Sequence, residues 1–476
     1  MNQTKTIINN NIINSFFNSI EEEYDLINHT IDKVYFWKLI RYSLREKIVE
    51  KSGLMSTATP LPYNNKIDKI IKMARRDFDI IKYNALNYKD KKKIIIFQKS
   101  RKIFYQGEEV DIFTHFFIEE LKNNQFDNYI TFETDTFDSK YYKKYNPYIA
   151  LEPIFFQKIK SLFNKVELDK AEIDLLNLLS KTIKNKFGIE IDVKLMAIKA
   201  VKYFKQQYVY YERLFKTTKP QKIIVLASQS KAALIAAAQT LKIEVIEIQH
   251  GSISNNHFGY SFPNNKKVPY FPDKMLVFGE YWSISTNLPL SYSNVHIVGY
   301  PYLIEQLNKY KKVKKEEKTI VFISQTIVAD KLIKVAIEFA EKFKDYQLIY
   351  KLHPTEYRDY KKMYPELIKA VNLDNFEVVD NNHTSLHEIL AKSSFQVGVG
   401  STAILEGLCL NCKTVLIDLP GIEELNYLID GQIVMKAQDV NELYECITNF
   451  KGENYNRNYF FAEFDNMPIS FILDDL

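Results

Sequence analysis

The sequence predicts a two-domain α/β protein with doubly wound parallel sheets and a helical N-terminal extension. At 476 residues the chain is too long for a single hydrophobic core. The segments "QKIIVLASQS", "KAALIAAAQTLK" and "IEVIEIQHG" follow one another as strand, helix and strand, which is a parallel βαβ unit with a right-handed crossover. From residue 319 onward, short apolar strands alternate regularly with helices, which is typical of a second doubly wound domain.

Residues 1–90 are predicted to be helical, and "IDKVYFWKLIRYSLREKIVEK" is their clearest amphipathic segment. Its residues Val34, Trp37, Ile40, Arg41 and Leu44 follow the helical period. Two interpretations fit this pattern. The helix packs on its own domain, which is the favoured one, or it lies in a membrane interface where its lysines and arginines meet anionic lipid or a glycolipid.

Residues 91–306 are predicted as the first domain. It begins with the buried strand "KKKIIIFQKS" and is mostly helical between 110 and 215. The lysine-rich stretch 307–318 is predicted to be a solvated linker.

Residues 319–450 are predicted as the second domain, with the six strands "TIVFISQ", "YQLIYKLHP", "FEVVD", "FQVGVGS", "KTVLIDL" and "QIVMKA". The aromatic and acidic tail 451–476 is predicted to pack back onto the first domain. Because ligands of such sheets bind outside the carboxyl ends of the strands, we expect a cleft between the domains that is lined by strand-end residues.

Composition excludes several classes of protein. With 46% hydrophobic and 26% charged residues the chain is globular, and a net charge of +5 does not indicate a nucleic-acid partner. No stretch approaches the roughly 20 apolar residues of a membrane span, and the N-terminus lacks the pattern of an export signal. We therefore expect a cytoplasmic protein. The three cysteines make no disulfide framework, and Cys409 and Cys412 are interpreted as packed thiols at a helix end rather than as a redox or zinc motif.

Three polar clusters stand at predicted strand ends. The first is "QHGS", where His250 is either a catalytic base or an ordinary loop histidine, with His257 seven residues later. The second is "KLHPTE", in which Pro354 disfavours helical backbone angles for His353, and Lys351, two residues earlier, points to the same face. From there the imidazole could donate to a phosphate or protonate a leaving group.

The third cluster is "GVGSTAILEG". Gly398 and Gly400 allow a tight turn and a close ligand approach, and Ser401 and Thr402 place hydroxyls beside the free N–H groups of a helix start, which favours an anion. The alternative is that one hydroxyl is only a helix cap. Glu406, one turn into the helix, does not stand at the capping-box position and is predicted to accept hydrogen bonds from ribose hydroxyls.

These motifs, in this order, resemble those of GT-B glycosyltransferases. The likeness is greatest to bacterial enzymes that use cytidine nucleotides: capsule sialyl- and Kdo-transferases, which have HP and Ser/Ser-Thr motifs, and teichoic-acid CDP-glycerol glycerophosphotransferases, which have WHG and HP. It covers roughly residues 220–450. It implies two Rossmann-like domains facing a cleft, an acceptor domain followed by a donor domain.

The resemblance also assigns roles to residues. It makes His353, Ser401, Thr402 and Lys351 contacts to the donor phosphate, Gly400, Glu406 and Pro354 contacts to the donor nucleotide, His250 the base that activates the acceptor, and Gln249, Gly251 and His257 acceptor-side or secondary residues. Gln249 stands where the teichoic-acid enzymes have Trp, and their basic continuation is missing, which disfavours glycerol-phosphate transfer. The acidic motif of several sialyltransferases is not evident either, so the base is His250 or an unidentified carboxylate.

The expected function is inverting transfer of a CMP-linked acidic sugar, of sialic acid or Kdo type, onto a hydroxyl of a bacterial surface glycan such as a capsule or lipopolysaccharide. The expected partners are the nucleotide sugar and a glycan or lipid-linked glycan at the inner face of the membrane. We expect no cofactor and no metal, because GT-B sites work without one and the acidic "ETDTFD" (133–138) is interpreted as a loop. The alternatives are a CDP-polyol phosphotransferase, a nucleotide-sugar epimerase and a non-catalytic subunit of a capsule complex.

Overall fold

Two parallel β-sheets form the framework of the computed structural model, which describes residues 9–54, 66–99, 102–136, 144–145, 147–263, 267–463 and 470–473. Their strands are short and apolar because both faces of each sheet are covered by helices. The predicted two-domain α/β architecture is confirmed.

The first sheet has seven strands, all parallel, in the order β11-β10-β9-β8-β3-β6-β7. The strands are Ile94–Gln98 (β3), Tyr129–Glu133 (β6), Tyr148–Ile149 (β7), Lys222–Val225 (β8), Glu244–Ile248 (β9), Lys274–Val277 (β10) and Val295–Ile297 (β11). The predicted βαβ unit is β8, the helix Ala232–Thr240 and β9, with Val225 of β8 opposite Glu247 of β9.

The second sheet has six parallel strands in the order β14-β13-β12-β15-β16-β17. They are Glu316–Ile323 (β12), Gln347–Lys351 (β13), Phe376–Val379 (β14), Ser393–Gly398 (β15), Lys413–Ile417 (β16) and Met435–Ala437 (β17). All six predicted strands are present. Below this sheet, Leu332, Ala336 and Phe339 of one helix pack with Phe322 and Tyr350 of the strands in a buried core.

Each sheet has one topological switch point, where the strand order reverses. In the seven-stranded sheet, β6 and β7 follow β3 on one side of it, and the next strand in sequence, β8, lies on the other side of β3. In the six-stranded sheet the reversal falls between β12 and β15. Loops diverge at such a point, so the crevice at the carboxyl ends of these strand pairs is where ligands of doubly wound sheets bind.

The helices cover the sheet faces and extend the chain at its N-terminus. They are Asn10–Glu23 (α1), Phe36–Lys51 (α2), Lys66–Lys82 (α3), His115–Asn123 (α4), Ile154–Phe163 (α5), Lys170–Phe187 (α6), Val193–Thr218 (α7), Ala232–Thr240 (α8), Glu280–Ile284 (α9), Pro301–Tyr310 (α10), Ala329–Lys342 (α11), Tyr360–Met363 (α12), Pro365–Ala370 (α13), Leu386–Lys392 (α14), Thr402–Cys409 (α15), Asn426–Asp430 (α16), Val440–Thr448 (α17), Arg457–Phe460 (α18) and Ser470–Leu473 (α19). In the part of the chain with assigned structure, no helix is long and apolar enough to cross a membrane.

The chain divides into two units. The seven-stranded unit comprises Phe17–Arg45, Asn65–Tyr302 and Phe461–Leu476, and the six-stranded unit comprises Met1–Phe16, Glu46–Asn64 and Leu303–Phe460. The chain therefore passes from one unit to the other five times along its length.

The prediction of an all-helical segment over 1–90 is wrong at residues 30–35. Thr30–Ile31 (β1) and Val34–Tyr35 (β2) form an antiparallel hairpin, and the helix α2 begins only at Phe36. Asp32 and Lys33 at the turn both have positive φ, as a two-residue hairpin turn requires. The amphipathic face of α2 is buried, with Trp37, Ile40, Arg41 and Leu44 at most 1% exposed, so this face packs within the protein.

The predicted linker over 307–318 is shorter than expected. The helix α10 extends to Tyr310, because Leu303 and Leu307 give it a buried face, and β12 begins at Glu316.

The C-terminal tail is divided between the two units. Phe460 ends α18 in the six-stranded unit, whereas Phe461 packs on the rings of Phe278, Trp282 and Tyr300 in the seven-stranded unit. Residues 464–469 and 474–476 of the tail lie outside the described residues.

Residues 102–149 contain strands that the sequence pattern did not predict, and two of them, β6 and β7, lie within the region 110–215 that was predicted to be mostly helical. Lys102–Tyr105 (β4) and Glu108–Asp111 (β5) form an antiparallel hairpin, and β6 runs into the segment that was interpreted as an acidic loop. Glu133 ends β6 and is 3% exposed, with its carboxylate paired with Lys102 at 2.9 Å. The pairing with Lys102 is what makes the charge of Glu133 tolerable in a buried strand. Residues 137 and 138 of that segment lie outside the described residues.

Candidate functional site

Two loops meet at the switch point of the six-stranded sheet. Gln325 follows β12, Gly400 follows β15, and the amide N–H of Gly400 donates to the Gln325 side-chain oxygen at 3.1 Å. A third loop, after β16, reaches the same point, since a Cβ placed on Gly400 would lie 2.2 Å from the backbone oxygen of Gly421. Glycine at position 400 is therefore explained by a neighbouring carbonyl rather than by space reserved for a ligand.

Replacement of this glycine is expected to disturb the crevice strongly. A Gly400→Ala variant must displace a backbone carbonyl, and overpacking of this kind costs about 1–3 kcal/mol. We expect a lower midpoint of thermal unfolding and a loss of nucleotide binding in a thermal-shift assay. Gly398→Ala is the matched control, because the closest contact of its Cβ would be the terminal methyl of Ile404, at 2.6 Å, which is the end of a flexible side chain rather than backbone. Equal losses in both variants would contradict this explanation.

His353 follows β13, the neighbour of β12, and its ring is held in one orientation. Its Nδ1 lies 2.7 Å from the Thr355 hydroxyl and accepts the N–H of Thr355 at 3.3 Å. Because a backbone N–H can only donate, the neutral ring has its proton on Nε2. The Thr355 hydroxyl lies 3.2 Å from that of Thr326, which follows β12. This exposed edge thus offers an imidazole N–H and two hydroxyls.

Glu356 supports the position of His353. Pro354 and Thr355 form a turn in which the N–H of Glu356 donates to the carbonyl of His353 at 2.8 Å. The Glu356 carboxylate is fully buried, accepts the N–H of His353 at 2.7 Å and accepts the Tyr364 hydroxyl at 3.0 Å. Burial raises the pKa of this carboxyl, and the hydrogen bonds oppose that change. The sequence motif "HPTE" is therefore one structural unit, of which sequence reasoning assigned only the first two residues.

Ser401 caps the helix α15, as the alternative interpretation of the Ser-Thr motif proposed. Its Oγ accepts the N–H of Ala403 at 3.2 Å, and its backbone is extended, with φ −147°. Thr402 is the first helical residue. Both side chains are half-exposed at the start of α15. A capping hydroxyl keeps lone pairs and a proton for a further partner, so the cap and the predicted phosphate contact are compatible.

Lys351 and Glu406 have partners inside the fold. The Lys351 ammonium donates to the Tyr357 hydroxyl at 2.6 Å and to the Asn381 carbonyl, and burial lowers its pKa to about 8. The Glu406 carboxylate lies 3.1 Å from Nε2 of His387, and both side chains are less than 10% exposed. Their predicted contacts with donor phosphate and ribose stay predictions, and both groups have partners inside the fold.

His250 stands two residues after the end of β9, as predicted for the strand-end histidine. Its Nδ1 lies 4.0 Å from a carboxylate oxygen of Glu247, and the side chain is 21% exposed. The edge of its ring faces the ring of Phe113 with 6.2 Å between centroids. Phe113 in turn stacks on Tyr300. The imidazole is therefore supported from one side by an aromatic stack and from another by a carboxylate.

Glu247 is a functional candidate that sequence reasoning missed. Its side chain is fully buried, and one oxygen accepts the Ser228 N–H at 3.1 Å and the Tyr260 hydroxyl at 2.5 Å. Burial raises the pKa of this carboxyl, whereas the hydrogen bonds and the nearby Lys38 lower it. The available signal was a glutamate at an inward position of the apolar strand "IEVIEI", where an ionisable residue is rare unless it has partners.

The residues that flank His250 have structural contacts. The Gln249 amide is 1% exposed and joins two backbones, accepting the Phe278 N–H at 2.8 Å and donating to the Gly251 carbonyl at 2.9 Å. His257 accepts the N–H of Gly259 at 3.2 Å and stacks on Tyr42. Burial lowers the pKa of His257 to about 4, so this imidazole is neutral at pH 7. Their predicted acceptor-side roles stay predictions.

The interpretation of Cys409 and Cys412 as packed thiols is confirmed. Both are free and buried, 6% and 3% exposed, and burial raises the pKa of the two thiols to about 12 and about 11. Such thiols are inert at neutral pH. Among the residues that the structure describes, no group of three or more His, Cys, Asp or Glu side chains is arranged to hold a metal ion.

The structure thus brings the predicted residues together in two sets. His353, Pro354, Gly400, Ser401 and Thr402 lie at strand ends around the switch point of the six-stranded sheet. Gln249, His250 and Gly251 lie at the end of β9 in the seven-stranded sheet, together with the unpredicted Glu247.

Solved structures with a similar arrangement include UDP-GlcNAc 2-epimerases and MurG. The epimerase from Methanocaldococcus jannaschii has 11% identity and a TM-score of 0.49, covering 80% of this chain and 99% of that chain. The epimerase from Neisseria meningitidis has 11% identity and a TM-score of 0.47, and the alignment covers 78% of this chain and 96% of that chain. MurG from Acinetobacter baumannii has 10% identity and a TM-score of 0.42, and the alignment covers 78% of this chain and 92% of that chain. No family model matches the chain, and no curated protein is significantly similar to it. Likenesses at this level assign the chain to no family.

Proposed function

We propose that this protein is a glycosyltransferase that uses a nucleotide-activated sugar. The supporting observation is that the loops after β12, β13 and β15 converge at the switch point of the six-stranded sheet. There the Gly400 N–H is hydrogen-bonded to Gln325, and the hydroxyls of Thr326 and Thr355 are hydrogen-bonded to each other. This crevice combines hydroxyls, an imidazole N–H and a helix start, all of which can donate to a phosphate.

The six-stranded unit would bind the donor. In the transfer, negative charge develops on the phosphate as the bond between the anomeric carbon and the phosphate oxygen breaks. Nε2–H of His353 would donate to that oxygen, and the first N–H groups of α15 with the Ser401 hydroxyl would hold the other phosphate oxygens. Because the Glu356 carboxylate and the Pro354 turn fix His353 before the donor arrives, little reorganisation is needed on binding.

The seven-stranded unit would supply the base. A His250 imidazole can take the proton of an acceptor hydroxyl, whose oxygen then bonds to the anomeric carbon while the nucleotide leaves with the electron pair. A single displacement of this kind inverts the anomeric centre. Glu247, 4.0 Å from Nδ1 of His250, would stabilise the imidazolium that forms.

The donor that the sequence resemblance implies is a CMP-linked acidic sugar, and the acceptor a bacterial surface glycan or its lipid-linked precursor. We propose a cytoplasmic enzyme that meets its acceptor at the inner face of the membrane. The amphipathic face of α2 does not provide that attachment, because it is buried.

A thermal-shift panel with CMP, CDP, UDP and GDP tests donor binding. A ligand present at 100 times its dissociation constant stabilises the native state by about 2.7 kcal/mol, which raises the melting temperature by a few degrees. We expect the largest shift with CMP, and its loss in a His353→Ala variant. His383→Ala is the matched control, since His383 is an exposed histidine that follows the neighbouring strand β14.

Other outcomes select other functions. A shift with UDP alone would replace the cytidine donor by a uridine one, and turnover of the bound UDP-sugar without an acceptor would indicate an epimerase. A shift with CDP, followed by formation of a phosphodiester, would indicate polyol-phosphate transfer. If no nucleotide shifts the melting temperature and glycan still binds, the protein is a non-catalytic subunit and the proposed function is wrong.

A further inference from the structure

The switch point of the seven-stranded sheet is flanked by two lysines that the proposed mechanism does not use. Lys99 is the first residue after β3, and Lys231 ends the loop after β8, immediately before α8. β3 and β8 are the neighbouring strands at which the order of this sheet reverses. Doubly wound sheets bind ligands in crevices of this kind, so the carboxyl ends of β3 and β8 mark a candidate ligand site.

A cavity of about 200 Å³ opens beside this switch point. Lys231, Gln229 and Ser230 form one wall, and α7 forms another with aromatic residues Tyr203, Phe204 and Tyr211. At about 30 Å³ per water, the space equals roughly seven water molecules, which suits one monosaccharide. Aromatic faces next to hydrogen-bonding groups match the alternating apolar and polar surface of a sugar ring.

Of the described residues that line the cavity, only Lys231 is charged, and Lys99, Glu247 and Asp135 lie near it. The pKa of Lys231 is lowered to about 8, chiefly by burial and also by the nearby Lys99, while Glu247 and Asp135 act in the opposite direction. Burial also lowers the pKa of Lys99. Among the described residues, no hydrogen bond from the Lys231 ammonium is present. An anion bound in the cavity would accept charge-assisted hydrogen bonds from this ammonium.

Gln207 on α7 adds an independent sign of an absent partner. It lines the cavity and is 4% exposed, and within the described residues its amide nitrogen has no hydrogen-bond acceptor. Leaving a buried donor unpaired costs about 1–3 kcal/mol, so such a group in a cavity wall points to a polar ligand.

We propose that this cavity binds an anionic monosaccharide unit, with the acidic group on Lys231 and the ring against Tyr203 and Phe204. The interpretation of that unit as part of the acceptor glycan rests on the proposed function. The binding site itself does not, because all of its residues belong to the seven-stranded unit and none of them is assigned to the donor.

The test measures binding of glucuronate to the full chain by isothermal titration calorimetry, in parallel with glucose 6-phosphate and uncharged glucose. We expect the wild type to bind one of the two anionic sugars and to bind glucose at least tenfold more weakly, because a charge-assisted hydrogen bond is lost. Comparison of glucuronate with glucose 6-phosphate distinguishes a carboxylate from a phosphate ligand. Lys231→Met should weaken anion binding about tenfold or more, and Lys99→Met less.

Lys199→Met is the matched control, since Lys199 is an exposed lysine on the same helix as Tyr203 and Gln207. This variant should bind the anionic sugar as the wild type does. Lys231→Met should keep the nucleotide-induced thermal shift, which shows that it is folded. The proposal is overturned if all three sugars bind equally, if none binds at millimolar concentration, or if Lys231→Met and Lys99→Met bind as the wild type does. Sugar binding without any nucleotide shift would leave this site intact and remove the proposed function instead.

Discussion

A His250→Gln variant is expected to lose a factor of about 10²–10⁴ in the rate of sugar transfer while it still binds the nucleotide. The amide of glutamine can accept a hydrogen bond from the acceptor hydroxyl but cannot take its proton at neutral pH. Binding of the donor should persist, because the residues proposed to hold it belong to the six-stranded unit.

The measurement is release of free nucleotide in the presence of acceptor, alongside the thermal shift with nucleotide alone. His296→Gln on β11 is the control for a histidine of the same unit outside the β9 loop. If His250→Gln turns over normally and Glu247→Gln does not, the base is the carboxylate and His250 is not required. That result would decide the alternative that the sequence left open.

An Arg41→Met variant is expected to destabilise the seven-stranded unit by about 3–5 kcal/mol. The Arg41 guanidinium is 1% exposed and pairs with Glu21, and it also donates to the carbonyls of Phe258 and Ser261 at 2.6 and 2.9 Å. Without it, the Glu21 carboxylate stays buried with the indole N–H of Trp37, at 2.8 Å, as its main remaining partner. The two carbonyls lose their donors as well.

Urea unfolding followed by tryptophan fluorescence measures this change specifically. The chain has two tryptophans, Trp37 and Trp282, and both belong to the seven-stranded unit, so their emission reports on that unit. The double variant Glu21→Leu/Arg41→Met removes both charges and should recover most of the lost stability, because replacing a buried ion pair by apolar residues is often neutral. A single variant as stable as the wild type would show that Arg41 is not needed to compensate Glu21.

The fold was most predictable where strands are continuous apolar runs. The six strands of the second sheet and the strands of the β8-α8-β9 unit alternate with helices, and that alternation is a property of local sequence. The strand β6 was missed because "YITFE" mixes polar residues with apolar ones and ends in a charge that only the ion pair with Lys102 makes tolerable. The turn at Asp32 was missed because its residues also fit a helical period.

The candidate site was predictable in position but not in its supporting contacts. His250, His353 and Ser401 all follow the carboxyl ends of strands, and the order of their motifs along the sequence was enough to predict this position. The partners of Glu247 lie 19 residues before it, at Ser228, and 13 residues after it, at Tyr260. Such contacts depend on how the loops fold over the sheet, so no local pattern reports them.

Because the chain passes between its two units five times, a chimera of this protein with a relative keeps both units whole only if its crossover points fall at the unit boundaries. Phe461 and the residues after it belong with the seven-stranded unit, so exchanging everything beyond Tyr302 would remove Phe461 from its place beside Phe278 and Trp282. A chimera that changes the donor without damaging the other unit must instead exchange residues 303–460 together with 1–16 and 46–64, and keep the native tail.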